Sequence, residues 1–161
     1  MKITPFKALM ISFATWLLIG VFLLQKGLKL LVGVAHSHES GYLTQMLGNT
    51  IGSKEHAALF FITVALIVGF LKGRFVLSKT VARISNRFFS YGEYMTLKQL
   101  YPFYYIAIIF SMMLMGMLLR FIPVSGEVKG IVDVAVGSAL INGAMQYFRV
   151  AFTKGRDVEV K

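Results

Sequence analysis

The chain contains no cysteine. Its absence excludes disulfide bonds, thiolate-bound zinc, iron–sulfur clusters and thiol redox chemistry. It also argues against the four-helix membrane enzymes that generate disulfides, because their chemistry needs pairs of cysteines.

Acidic residues and polar surface are both scarce. The 161 residues include 7 Asp and Glu against 17 Lys and Arg, and 57% of them are hydrophobic. Soluble domains average about 45–50% apolar residues, so this excess is typical of a membrane protein. The net charge of +10 would suit nucleic acid or anionic lipid. Its distribution along the chain favours lipid, and no nucleic-acid partner is expected.

Motifs of catalysis are missing as well. The sequence has no Gly-x-Ser-x-Gly elbow, no phosphate-binding loop and no paired carboxylates at the inner ends of its apolar segments. These are the short patterns that position a nucleophile, a phosphate or an acid–base pair. We therefore predict no catalytic residues, and the sequence leans away from an enzyme without excluding one.

Four long apolar segments dominate what is present. A helix needs about 20 mostly apolar residues to cross the roughly 30 Å of hydrocarbon in a bilayer. We predict an all-α integral membrane protein, a four-transmembrane-helix bundle that forms a single membrane domain over residues 1–161. The predicted spans are 8–34, 57–77, 102–122 and 130–150. Ser53 is the predicted N-cap of the second span, with Glu55 favourably placed in its first turn.

Basic residues alternate between the connections. The N-terminus, the second connection (72–98) and the C-terminal end are rich in Lys and Arg, whereas the first (35–56) and third (123–129) connections hold one lysine each. In membrane proteins the excess of Lys and Arg lies on the cytoplasmic side. The alternation predicts that both termini are cytoplasmic, and we expect the membrane to be a bacterial inner (plasma) membrane.

The second span is predicted to continue as a basic amphipathic helix over about 74–91. An apolar stripe runs along one face at spacings of 4, 3 and 4: Leu77, Val81, Ile84 and Phe88. Another face carries the predicted lipid-binding residues Lys72, Lys79, Arg83 and Arg87. Such a helix is expected to lie on or near the anionic inner leaflet, and the alternative is a solvated basic loop.

A faint similarity links the two halves of the chain. Residues 65–69 (Ala-Leu-Ile-Val-Gly) resemble residues 139–143 (Ala-Leu-Ile-Asn-Gly), and Arg74 and Arg149 then fall at equivalent positions. The fold could therefore consist of two pseudo-repeated helical hairpins, as parallel repeats do in other membrane proteins. This interpretation predicts close helix contacts at both glycines, Gly69 and Gly143. Chance similarity between Leu- and Gly-rich spans is the alternative.

The fourth span carries a polar stripe. Four residues share one helical face at spacings of 4, 4 and 3: Ser138, Asn142, Gln146 and Arg149. In lipid such a face must turn toward other helices, a cavity or a second subunit. Hydrogen bonding between helices, a path for a solute or ion, and an oligomer contact are the three interpretations that remain open.

Asp133 is the sole acid inside a predicted span. A lone charge within a bilayer is costly, so we expect a buried ion pair with a basic residue at the same depth. Arg120 is the first candidate, because a short hairpin joins the third and fourth spans, and Lys26 and Lys29 could join the same network. A proton or cation site at Asp133 is the functional alternative.

All three histidines flank the first outer connection. The candidate metal ligands are His36, His38, Glu39, Glu55 and His56. Imidazole and carboxylate groups could hold zinc or copper there. Exposed loop histidines without a metal are the simpler interpretation, and no other cofactor is expected.

From these features we expect a non-enzymatic scaffold or a subunit of a membrane assembly. Its partners would be the bilayer, anionic inner-leaflet lipids, and further copies of the chain or a larger complex. One alternative is a small oligomeric transporter or channel with a polar path along the fourth span. A weaker alternative is a metal-binding membrane protein that uses the outer histidines.

Overall fold

The computed structural model of the protein describes residues 2–36, 41–90, 95–96 and 125–159. Its architecture is all-helical apart from two strands of two residues each, so the predicted all-α class is confirmed. In chain order the elements are β1 (Lys2–Ile3), α1 (Pro5–His36), α2 (Tyr42–Ile51), α3 (Lys54–Lys72), a π-helical turn (Gly73–Leu77), α4 (Ser78–Ser90), β2 (Met95–Thr96) and α5 (Gly126–Glu159).

Three helices are long and apolar enough to cross a membrane. They cover Phe6–His36, Lys54–Asn86 and Gly126–Thr153. These ranges contain the predicted spans 8–34, 57–77 and 130–150, while the predicted span 102–122 lies outside the described residues. Each observed helix is longer than its prediction, because backbone hydrogen bonding continues through flanking polar residues that an apolar run does not include.

Local signals account for two helix ends. The Ser53 hydroxyl accepts a hydrogen bond from the His56 amide at 3.2 Å, which confirms the predicted N-cap of α3. Helix α2 ends at Gly52, whose φ of 97° lies in the left-handed region that favours glycine. From Lys54 the chain then stays helical as far as Ser90, passing from α3 through the π-helical turn into α4.

Helices α1 and α5 run antiparallel in contact along most of their length. Gly27 lies opposite Gly130 and Gly20 opposite Gly137, so both helices present glycines seven residues apart. A Cβ built on Gly137 would lie 2.8 Å from the carbonyl oxygen of Gly20, which shows how closely the backbones approach. A seven-residue repeat keeps such a seam in register along two antiparallel helices.

Helices α3 and α5 run parallel and use a different spacing. Gly69 lies against Ala135, and four residues later Gly73 lies against Ala139. Ala65, one turn before Gly69, is buried as well. Small residues four apart let membrane helices bring their backbones together. Helix α5 is thus the central helix, with one small-residue face for α1 and another for α3.

Two clusters of buried side chains define the ends of the bundle. At what we call the basic end, the start of α1 meets α4 and the last turns of α5; this cluster consists of Ala8, Leu9, Val81, Ile84, Tyr147 and Ala151. At the opposite end, which we call the loop end, the cluster consists of Leu31, Ala65 and Val134. Gly143 lies near the basic end, where a Cβ built on it would lie 3.1 Å from the Trp16 ring, so the missing side chain leaves room for that ring. Gly69 and Gly143 therefore both occur at close helix contacts.

The apolar stripe of α4 differs from the expectation for a membrane-surface helix. Val81 and Ile84 are buried inside the basic-end cluster, against α1 and α5, rather than exposed for contact with a leaflet. The reason lies in helix length: α1 begins at Pro5 and α5 continues to Glu159, so both extend far enough to cover this face. Lys79 and Arg83 lie on the exposed side of α4.

Candidate functional site

The polar stripe of α5 divides into two parts. Ser138 is buried against α3, where its hydroxyl donates to the Leu66 carbonyl oxygen at 3.3 Å. Asn142 donates from Nδ2 to the Ser138 carbonyl oxygen within its own helix, also at 3.3 Å. Toward the basic end the stripe leaves the helix contact and reaches an open cavity. The first part therefore serves packing, and the second is available to a ligand.

This second part lines what we call the arginine cavity. Its volume is about 390 Å³. Side chains of α3, the π-helical turn and α5 surround it: Phe70, Arg74, Asn142, Met145, Gln146, Phe148 and Arg149. The cavity combines two guanidinium groups and two amides with three large apolar side chains.

The π-helical turn explains how Arg74 reaches α5. Gly73, the first residue of the turn, lies very close to α5. A Cβ built on Gly73 would lie 2.8 Å from the Asn142 Cβ. Arg74 follows directly in sequence and is thereby held beside the polar stripe. A π turn inserts one residue into the helical repeat and changes the direction of the side chains after it, and such turns are frequent at functional sites.

Neither arginine of the cavity has a carboxylate partner in the described part of the chain. The described ion pair joins Lys26 and Asp133 instead, near the loop end. Arg74 and Arg149 are both exposed, so their guanidinium groups are accessible from outside the bundle. The structure thus brings together the two arginines that the internal similarity aligns, and leaves their charge uncompensated by described acids.

Asp133 lies on α5 with 18% of its side chain exposed. Its Oδ2 atom is 2.8 Å from Lys26 Nζ, on a side chain that is 56% exposed. This Oδ2 atom is buried and accepts no hydrogen bond within the described part of the chain, so the contact is described as an ion pair. Lys29 is exposed nearby on α1 and lines a separate open cavity with Lys26. Arg120, the partner that the sequence favoured, lies outside the described residues.

Glu127 is a functional group that the sequence analysis missed. It sits in the first turn of α5 with only 1% of its surface exposed. Its Oε1 atom accepts from the Thr44 amide at 2.8 Å, and Oε2 accepts from the Leu43 amide at 3.2 Å. These amides belong to the first turn of α2, whose N-cap position is Gly41, a residue with no side chain. The carboxylate of a distant helix therefore supplies the cap.

The signal for this contact was present in the sequence but weak. Helix α2 has a glycine at its N-cap and no acid in its first turn, so its free amides needed an acceptor from elsewhere. Gly41 is also required sterically, because a Cβ at that position would meet the Glu127 carboxylate. Which acid fills the role depends on tertiary structure alone.

The candidate metal ligands are not gathered into one group in the described residues. His36 Nδ1 lies 2.9 Å from the Val32 carbonyl oxygen, and His56 Nδ1 lies 2.7 Å from the Ser53 hydroxyl. Glu55 is exposed in the first turn of α3. His38 and Glu39 lie outside the described residues. Among 2–36, 41–90, 95–96 and 125–159, no cluster of three metal-ligating side chains occurs.

The predicted lipid-binding residues follow the exposed side of α3 and α4. Lys72, Lys79 and Arg83 are all exposed, and the side chain of Arg87 lies outside those that the structure describes. They share the basic end of the bundle with the arginine cavity, because α4 packs there against α1 and α5. Positive charge is thus concentrated at one end of the helices.

Comparison of the chain with protein-family models, with curated proteins and with solved structures found no match. Three of the described helices are long and apolar enough to cross a membrane, which is consistent with a membrane protein.

Proposed function

We propose that the protein is an integral membrane protein with four spanning helices, of which residues 102–122 form the third in chain order. Connectivity supports this. Strand β2 pairs with β1, so Thr96 lies beside Lys2 at the basic end. Helix α5 starts at the loop end, where Gly126 approaches Val34. Ile3 and Val34 are separated by most of α1, about 45 Å at a rise of about 1.5 Å per residue, so Thr96 and Gly126 lie near opposite ends of α1, as a span between them would require.

The basic end would face the cytoplasm of a bacterium, with both termini on that side of the inner membrane. The concentration of Lys72, Arg74, Lys79, Arg83 and Arg149 at one end supports this orientation, since cytoplasmic loops carry the excess of Lys and Arg. Reporter fusions at Gly92 and Gly126 test it. Opposite sides are expected for the two positions, and a common side would refute the topology.

As its function we propose a non-enzymatic scaffold or subunit of a membrane assembly. The observation that carries the proposal is the packing of α5. Its small-residue faces bring the backbone against α1 at Gly137 and against α3 at Ala135, so α5 is in direct backbone contact with both helices at these levels. Ser138, which would begin a polar path, is buried and bonded to Leu66. Partners would meet the exposed surfaces: lipid and further subunits along the helices, and anionic lipid at the basic end.

Liposomes that contain the purified protein test this proposal. A scaffold should produce no ion or solute flux above that of protein-free liposomes. Replacing both polar residues, Ser138→Leu with Asn142→Leu, should then alter assembly size on native gels without any flux to abolish. Flux that depends on these two residues would refute the scaffold.

A small oligomeric transporter or channel is the second candidate. The arginine cavity favours it, because Asn142, Gln146 and Arg149 give a polar surface open to one side of the bundle. Such a path would need a second subunit to enclose it. Flux in liposomes that falls with Asn142→Leu would establish this candidate in place of the first.

Metal binding at the loop end is the weakest candidate. His36 and His56 would supply imidazole ligands at the ends of α1 and α3. Equilibrium dialysis with zinc or copper tests it, with His36→Ala/His56→Ala as the comparison. Binding of about one ion per chain that this variant loses would support a metal site.

A further inference from the structure

The arginine cavity has a polar wall and an apolar wall, and together they indicate the kind of ligand that it fits. On the polar wall, Arg74 and Arg149 face one space, and guanidinium groups form paired parallel hydrogen bonds with phosphate oxygens. Gln146 adds an amide that can donate to the same group. A phosphate or phosphodiester is therefore a chemical group that suits this polar wall.

The other wall is apolar. Phe70, Met145 and Phe148 line the cavity and are themselves exposed on the helix surface, where hydrocarbon would surround them. A ligand that fills the cavity must consequently be amphipathic. It needs an anionic group against the arginines and an apolar part that continues along the helices, which is the form of a phospholipid at a leaflet boundary.

We infer that the arginine cavity binds one anionic phospholipid of the inner leaflet, with its phosphate between Arg74 and Arg149 and an acyl chain against Phe70 and Met145. Basic pockets between transmembrane helices on the cytoplasmic side bind lipid headgroups in this way. The inference rests on the proposed membrane insertion and orientation. It differs from general attraction of the basic face to anionic lipid, because it requires a specific site with a defined stoichiometry.

Native mass spectrometry of the full chain in a nonionic detergent tests the site. The probes are phosphatidylglycerol and phosphatidylcholine with identical acyl chains. We expect one phosphatidylglycerol to remain bound at concentrations where phosphatidylcholine is lost. Arg74→Gln/Arg149→Gln should weaken phosphatidylglycerol binding by about tenfold or more. Lys7→Gln/Lys54→Gln, which removes the same charge from two exposed positions away from the cavity, should leave binding within about twofold.

Three results would overturn the inference. Equal loss of lipid in the control variant would show diffuse electrostatic attraction. Loss that is as large in Lys79→Gln/Arg83→Gln would place the lipid on the exposed face of α4. Thermal stabilisation by inorganic phosphate, without preference for either lipid, would identify a soluble anion as the ligand.

Two further measurements keep these outcomes interpretable. Circular dichroism establishes whether the double variant is still helical. If it is not, Arg74→Lys and Arg149→Lys replace it, and each should weaken phosphatidylglycerol binding several-fold because an ammonium group cannot form the paired hydrogen bonds. Carbonate extraction of membranes tests insertion separately, so failure of the lipid site is distinguishable from failure of the membrane proposal.

Discussion

Gly27 on α1 faces Gly130 on α5, and a Cβ built on Gly27 would lie 2.8 Å from the Gly130 carbonyl oxygen. The same imagined atom would lie 2.7 Å from the backbone nitrogen of Val134. Both neighbours are backbone atoms of a helix, which cannot move aside as a flexible side chain could. The separation of α1 and α5 is therefore set by the absence of a side chain at this position.

Gly27→Ala should destabilise the protein by about 1–3 kcal/mol, the usual cost of forcing extra atoms into a packed interface. Gly33→Ala is the matched control on the same helix, because a Cβ there would have no neighbour within 4 Å. It should leave stability unchanged or raise it by up to about 1 kcal/mol through helix propensity. Thermal unfolding in detergent, followed by circular dichroism, measures both. A Gly27→Ala variant as stable as Gly33→Ala would contradict the packing.

Much of the helical pattern could be predicted from the sequence, because it depends on local properties. A long apolar run shows the presence of a helix directly, and a serine before an acidic first turn marks its start, as at Ser53. The close helix contact at Gly69 could be predicted from the similarity between residues 65–69 and residues 139–143. The seven-residue spacing that pairs Gly20 and Gly27 with Gly130 and Gly137 was also visible, although the sequence does not say which glycines meet.

Contacts between distant residues could not be predicted in the same way. The buried face of α4 depends on how far α1 and α5 extend, and apolar runs do not mark those ends. The cap that Glu127 provides for α2 joins residues more than 80 positions apart, with no local pattern to connect them. The arginine cavity depends on a π turn at Gly73, which changes the direction of Arg74 after the close contact with α5.

Glu127→Ala should release α2 from α5. The substitution removes the acceptor of two amides, at Leu43 and Thr44, and a buried donor left without a partner costs about 1–3 kcal/mol. Hydrogen exchange at these two amides, measured by mass spectrometry, should rise by at least about tenfold. Glu127→Gln keeps one carbonyl acceptor and should give an intermediate rate.

Glu55→Ala is the control for this prediction. Glu55 also lies in the first turn of a helix but is exposed, so its replacement should change stability by no more than about 0.5 kcal/mol. Exchange at Leu43 and Thr44 should not respond to it. Unchanged exchange in Glu127→Ala would mean that the carboxylate does not hold α2 in place.

Lys26→Met should destabilise the protein because it leaves the Asp133 carboxylate without its ion-pair partner. The pair is partly exposed, so the loss should exceed the roughly 1 kcal/mol of a surface pair and remain below the roughly 3–5 kcal/mol of a buried one. Lys29→Met, which removes an exposed lysine of the same helix, should have little effect. Adding Asp133→Asn to Lys26→Met should restore part of the stability. If Lys26→Met and Lys29→Met have the same melting temperature, the ion pair does not contribute to stability.

Ser85→Ala should stabilise the protein. The Ser85 hydroxyl is fully buried in α4 and has no hydrogen-bond partner among the described residues, an arrangement that costs about 1–3 kcal/mol. Alanine keeps the Cβ, removes the unpaired oxygen and improves helix propensity, so an increase in stability of about 1 kcal/mol is expected.

Ser138→Ala provides the comparison for Ser85→Ala, since it makes the same chemical change in α5. Its hydroxyl donates to the Leu66 carbonyl oxygen, and interhelical hydrogen bonds in membranes average about 0.6 kcal/mol. The gain in helix propensity is common to both variants, so the difference between their stabilities isolates the hydrogen bond. In thermal unfolding in one detergent, the melting temperature of Ser85→Ala should be higher than that of the unmodified protein. The melting temperature of Ser138→Ala should be equal to it or lower. If Ser85→Ala melts lower than Ser138→Ala, the Ser85 hydroxyl is bonded and α4 packs differently against α1 and α5.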